Sequence, residues 1–292
     1  MALPSREDIE FKTKDGVILR GWLYPAQKRG PGIILSAGFN MPKDIVVPDV
    51  ASWYHKRGFT ALIFDTFSIG TSDGEPRGDT NVHRRVEDFI DSVSWLSGNP
   101  LVDPEKIVLW GLCFDGNMML ATAATDRRVA AVVAFAPMID LTGDNERREA
   151  ILELAMTDLA NQQAGNEPMY LPMVDEDGVL PTGHFLGLGF INALEKMGSS
   201  IDNRVTVQTY MRALSWSILH LLPMISPTPV LVVTPEKDQV TPVKRQTEAF
   251  DMLGEPKEQC FLAGKDHFDW MFGDMDGVFN RQLDFLKRHL KL

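Results

Sequence analysis

Residues 107–121 read Ile-Val-Leu-Trp-Gly-Leu-Cys-Phe-Asp-Gly-Asn-Met-Met-Leu-Ala, and no other stretch constrains the fold as strongly. It opens as a short apolar run, bounded upstream by Asp103-Pro104, that predicts a buried strand. It closes as an Ala- and Met-rich helix. Between them lies Gly111-x-Cys113-x-Asp115-Gly116, which differs from the Gly-x-Ser-x-Gly elbow by Cys for Ser and Asp for the last Gly. A side chain projects from a sheet in this way only if the strand turns into the helix through a strained corner. Small neighbours let the two elements approach. Free N–H groups and a positive dipole at the helix start favour a thiolate and a developing oxyanion. A buried Cys is equally a small hydrophobe, so the meaning of the motif depends on whether an acid and a histidine follow downstream. Asp115 sets a side chain where such a turn wants almost none, and Gly116 is the neighbour that can supply the room.

The chain has 292 residues, 44% of them hydrophobic, which is enough for one sizeable core, or a core plus a lid. A net charge of -11 argues against nucleic acid and anionic membrane as partners. Two cysteines, Cys113 and Cys260, allow neither a disulfide framework nor a zinc spacing. The N-terminus lacks the apolar segment of a signal peptide, and no run reaches the ~18 apolar residues of a membrane span. A reducing, cytoplasmic setting without metal or cofactor is expected. A homodimer is compatible with the chain.

In order, Ile9–Thr13 and Val17–Tyr24 flank Asp15-Gly16 as an antiparallel hairpin. Gly32–Ser36, Thr60–Asp65, the run from Ile107 into the elbow, and Val129–Pro137 read as buried strands. They alternate with helices expected over Val46–Arg57 and His83–Ser97. Strands of that kind suit a mostly parallel sheet covered on both faces, whose ligands bind at the carboxyl ends of the strands. The alternation breaks from about Asp140 to about Ser226, where helices are expected over Glu149–Gln162 and Val205–Leu222 with Pro- and Gly-rich chain between. This composition predicts a cap over 140–226, inserted in a core formed by 1–139 and 227–292. Strands at Thr228–Thr234 and Glu258–Leu262 then resume the pattern, with helices near Val243–Leu253 and Asp276–Leu290.

Asp238 lies in the loop after the first of these strands and His267 in the loop after the second, so both belong at the sheet edge that carries Cys113. The order Cys113, Asp238, His267 is the nucleophile–acid–histidine order of the α/β-hydrolase fold. Nearly end to end the chain resembles an α/β-hydrolase with an inserted cap. More narrowly it resembles the fungal polyketide transferase and thiohydrolase family, through Glu10–Gly16, Leu19–Ala26, Gly38-Phe39-Asn40 and Ser68–Arg77. The resemblance implies an enzyme that takes a polyketide acyl chain from the carrier domain of a synthase. Such an enzyme releases the chain by hydrolysis, lactonisation or transfer to an alcohol.

In the expected chemistry His267 takes the Cys113 proton and Asp238 holds the imidazole tautomer, while the backbone N–H groups of Phe39 and Phe114 receive the oxyanion. A thiolate attacking a thioester yields another thioester, which keeps the acyl group activated for an alcohol. A thioester donor, and a hydroxyl acceptor in preference to water, are therefore expected. Asp140 is an alternative acid. Met156, Met173, His184, Met211 and Trp216, with Trp270 beside His267, are expected around an apolar substrate pocket. The other histidines, His55, His83, His220 and His289, belong to no constellation. Two further classes remain open: a dienelactone-hydrolase-like enzyme acting on small esters or lactones, and a catalytically silent fold serving as a partner of a synthase.

Overall fold

The computed structural model describes residues 6–141, 145–177, 179–183, 198–271 and 274–292. Strands β1 (Glu7–Lys12) and β2 (Ile18–Tyr24) form the expected hairpin. They are followed by β3 (Gly30–Ser36), β4 (Thr60–Phe64), β5 (Val102–Leu112) and β6 (Val129–Phe135). Two short strands, β7 (Tyr170–Pro172) and β8 (Arg204–Thr206), pair only with each other. Strands β9 (Val230–Pro235) and β10 (Lys257–Leu262) complete an eight-stranded sheet in the order β1-β2-β4-β3-β5-β6-β9-β10. Pairing is antiparallel from β1 to β4 and parallel from β4 to β10. The chain is an α/β-hydrolase in fold.

The central strands are apolar because neither face meets water: Ile107–Leu112 of β5 and Ala131–Phe135 of β6 are buried at every position. Helices α1 (Val47–His55), α2 (Val82–Ser97) and α3 (Phe114–Thr125) lie within the first half of the chain. Helix α2 begins where the Asn81 side chain accepts the N–H groups of His83 and Arg84. The closing helices are α6 (Val243–Met252) and α7 (Met275–Leu290).

Strand order is what locates the site. From β3 the chain moves outward to β4, then returns to add β5 on the other side of β3. The crevice at the carboxyl ends of β3 and β5 is thus the topological switch point of the sheet. Ser36 pairs with Gly111 there, which sets residues 37–39 beside residues 112–114. Likewise Pro235 of β9 pairs with Leu262 of β10, so the loops carrying Asp238 and His267 leave the sheet side by side.

Between β6 and β9 the chain leaves the sheet and builds α4 (Asn145–Gln163), the β7–β8 pair and α5 (Val207–Leu214). The long helix expected over Val205–Leu222 is broken. Thr206 caps α5 by accepting the Thr209 N–H, the helix ends at Ser215, and a 3-10 turn follows at Leu222–Met224. The apolar residues of that stretch are spread over several short elements, each buried in a different direction, which composition alone does not separate. Asp158 of α4 is fully buried and accepts from Gln162 Nε2, the Met169 N–H and Gln208 Nε2, joining α4, the segment before β7, and α5. No helix among the described residues is long and apolar enough to cross a membrane.

One buried amide joins the layers under the elbow. Gln282 of α7 accepts hydrogen bonds from Tyr54 Oη of α1 (3.0 Å) and Trp110 Nε1 of β5 (2.9 Å). Gln282→Leu would keep the bulk and strand both donors in a dry interior. Stability should fall by about 2–4 kcal/mol, since each buried unsatisfied group costs roughly 1–3 kcal/mol. Urea unfolding measures this, and an unchanged midpoint would refute it.

Candidate active site

Cys113 sits at the junction of β5 and α3 with φ 55° and ψ -123°, a conformation that L residues adopt only when their surroundings impose it. The surroundings are explicit. The Cys113 N–H donates to the Phe135 carbonyl at 2.9 Å, and its own carbonyl accepts from Gly116 at 3.0 Å and Met138 at 2.9 Å. A β-carbon at Gly111 would lie 2.3 Å from the Asp115 carbonyl oxygen, so strand and helix touch there with no room for a side chain. At Gly116 it would lie 3.0 Å from Pro137 Cα. Gly111 and Gly116 are therefore the small neighbours of the turn.

Asp115 occupies space instead of vacating it. It is completely buried and forms a bidentate ion pair with Arg85 of α2, Oδ1 to Nε at 2.6 Å and Oδ2 to Nη2 at 2.8 Å. Its Oδ2 also accepts from Ser36 Oγ at 2.5 Å and from the Gly38 N–H at 2.9 Å.

His267 is buried behind Cys113. Its Nδ1 is 2.8 Å from Asp238 Oδ2, and it shares the wall of one cavity with Cys113. Burial alone disfavours the imidazolium. Attraction to Cys113 and Asp238, with the hydrogen bond to Asp238, outweighs burial and raises the pKa from the ordinary 6.5 to about 10. Asp238 cannot turn away: Oδ1 accepts the N–H groups of Val240 and Thr241, and Oδ2 accepts Thr241 Oγ1 at 2.7 Å. Trp270 Nε1 donates to the His267 carbonyl at 2.8 Å and fixes the histidine backbone.

The structure thus brings Cys113, Asp238 and His267 together, with Phe39 and Phe114 against them. Among the described residues, neither the Phe39 nor the Phe114 backbone N–H donates to a protein acceptor, though both residues are buried. A β-carbon at Gly38 would lie 3.7 Å from the Phe114 nitrogen, so the two segments are in contact. Asp140 points elsewhere, pairing with Arg245. Asp266 and Asp269 accept backbone N–H groups of their own loops, from His267 and Asp266 respectively.

The expected pocket residues are placed differently. A cavity of about 20 Å³ adjoins Cys113 and His267, walled by Phe39, Met41, Ile45, Val46, Leu180 and Phe268 among others. Met156 is exposed on α4 and Met173 is fully buried. Met211 lies partly buried on α5 and is not part of the cavity wall. Trp216 is half-buried, with Nε1 donating to Asn117 Oδ1 at 3.1 Å. Trp270 lies in an aromatic core with Phe135, Trp110 and Phe279, under the site and not in it. His184 lies outside the described residues. Met41, Ile45, Val46 and Phe268 had a usable signal: each is an apolar residue in a loop at the carboxyl end of a strand.

Cys260 lies on β10, separated from β5 by β6 and β9, and both cysteines are free. Among the described residues, no group of three His, Cys, Asp or Glu side chains is arranged to hold a metal ion.

The raised His267 pKa carries a sign. The folded state favours the imidazolium, so its contribution to stability is complete below the unfolded value near 6.5 and is lost as pH rises to about 10. The stability gap between wild type and His267→Gln should therefore narrow between about pH 6 and about pH 10. Urea unfolding at both pH values checks this, and a constant gap refutes it.

Known proteins give the same picture of the chain. A family profile described as X-Pro dipeptidyl-peptidase (S15 family) matches residues 15–186. The polyketide transferase grgF of Penicillium sp is 53% identical over 285 residues, covering 98% of this chain and 97% of the relative. A thiohydrolase of Eupenicillium brefeldianum is 33% identical over 292 residues, covering 98% and 95%. The crystal structure of the α/β-hydrolase GrgF from Penicillium sp. sh18 superposes with a TM-score of 0.92, covering 99% of this chain and 100% of that one. Sequence, fold and relatives converge, and the chain belongs to the polyketide transferase and thiohydrolase family of α/β-hydrolases.

Proposed function

We propose that the protein removes a polyketide acyl chain from the thioester of a synthase carrier domain through an acyl-Cys113 intermediate, and passes it to a hydroxyl group. The observation that carries this reading is His267, hydrogen-bonded to Asp238 and set with Cys113 on the wall of one apolar cavity. The names of the relatives, polyketide transferase and thiohydrolase, supply the substrate class.

The steps balance. The Cys113 proton passes to His267, and the sulfur attacks the thioester carbonyl. The oxyanion is received by the free N–H groups of Phe39 and Phe114. Collapse breaks the carbon–sulfur bond to the carrier arm, and His267 returns the proton to the departing thiolate. Deacylation reverses the roles. His267 takes the proton of an incoming hydroxyl, whose oxygen attacks the acyl-Cys113 carbonyl, and Cys113 leaves with that proton. An internal hydroxyl gives a lactone, a separate alcohol an ester, and water the free acid. The intermediate is a thioester, so either ester-forming outcome remains downhill.

A cavity of about 20 Å³ holds roughly one water. An acyl chain therefore enters by displacing side chains, and the flexible Met41 and the half-exposed Phe268 stand in its path.

Intact-protein mass spectrometry tests the reading. Mixing wild type with a short hydroxyacyl thioester should add one acyl mass, and Cys113→Ala should add none. Product analysis then identifies the acceptor. Turnover by Cys113→Ala at the wild-type rate would remove Cys113 from the mechanism.

A further inference from the structure

Asp115 is the residue by which this elbow departs from its usual form, and its surroundings give it a task. Four groups converge on its carboxylate: two guanidinium nitrogens of Arg85, the hydroxyl of Ser36 and the N–H of Gly38. Arg85 extends the set, donating from Nη2 to the Gly38 carbonyl at 2.9 Å and from Nη1 to Thr66 Oγ1 at 2.8 Å. The Gly38 residue is thus held at both its polar ends, its N–H by Asp115 and its carbonyl by Arg85. Gly38 has φ +120°, and a β-carbon there would lie 3.3 Å from Cys113 Cβ and 3.2 Å from the Leu112 carbonyl. The gripped backbone is pressed against the elbow with no slack.

We infer that Asp115 and Arg85 are positioning residues that fix the spacing of the two oxyanion donors. Phe39 follows Gly38 in the chain and Phe114 precedes Asp115, so a single carboxylate references both free N–H groups to each other. A neutral residue at 115 would leave the Phe114 donor in its helix and cut the Phe39 donor loose from it. The role rests on the acyl-cysteine reading above, because only a developing acyl oxyanion uses both donors.

Two reactions of Cys113 separate this role from a merely structural one. Acylation by a thioester develops an oxyanion, whereas alkylation by iodoacetamide is a displacement at saturated carbon and develops none. Asp115→Asn should slow acylation by about 10²-fold, the cost of one oxyanion donor. The loss should fall on kcat and leave KM nearly unchanged, because the interaction strengthens only in the transition state. Alkylation should proceed at the wild-type rate. Ser36→Ala removes one charge-assisted hydrogen bond from the same carboxylate and should slow acylation by about 10-fold. It decides the matter alone if Asp115→Asn does not fold. An equal fall in both reactions, or unchanged acylation in a folded variant, overturns the role. Wild type that is alkylated normally but never acylated overturns the acyl-cysteine reading, and this role with it.

Discussion

Everything at the site depends on one strained peptide unit. Cys113 is held at positive φ between a strand that is buried at every position from Ile107 to Leu112 and a helix that starts at once. Such a conformation costs of order 1–3 kcal/mol and persists only where its neighbours over-determine it. Here they do: three backbone hydrogen bonds anchor it to β6, to the segment after β6 and to its own helix. Gly111 and Gly116 remove the steric objections. The same turn sets Cys113 on a cavity wall shared with His267 and leaves the Phe114 N–H without an acceptor among the described residues. The Cys113 side chain and the free Phe114 N–H are thus placed by a single backbone constraint.

Loop 37–46 is fixed by a different kind of force. At one end Gly38 is clamped by the Asp115–Arg85 pair. Further along, the buried Lys43 donates from Nζ to Asp65 Oδ2 at 2.6 Å and to Thr71 Oγ1 at 2.7 Å, while its N–H donates to Asp65 Oδ1. Positive φ at Gly38, Asn40 and Val46 shows how far this segment is bent from an ordinary loop. Val46 is β-branched, the kind of residue for which such a φ is a genuine outlier. Buried ion pairs are poor investments in stability, since desolvation consumes most of their attraction. Two of them gripping one ten-residue loop make sense as geometry: they specify where the loop's backbone and its apolar side chains stand.

What could be read from the sequence follows from how local each interaction is. Strands β5 and β6 are legible because burial on both faces leaves an apolar run with no alternation. The grouping of Cys113, Asp238 and His267 is legible because each follows a strand and parallel strands present their ends together. Asp115 was misleading in isolation: next to Cys113 it reads as an obstruction, and its partner Arg85 lies 30 residues earlier, on another helix. Residues 205–222 are helical in composition but are divided by a cap at Thr206 and an end at Ser215, small events within an apolar stretch. The cavity wall escaped because it comes from loops, where no periodicity marks a facing side. Trp270 stands three residues after the histidine along the chain yet turns into the aromatic core.

The excursion between β6 and β9 has a consequence for what this fold tolerates. The two strands are hydrogen-bonded neighbours, from Val132 opposite Val230 to Phe135 opposite Val233, so the sheet closes over the gap as if nothing had been inserted. Cys113, Asp238 and His267 all lie outside the excursion, while Leu180, within it, contributes to the cavity wall. That segment can therefore change in length without shifting the register of β6 on β9, and the three side chains beneath it keep their anchorage.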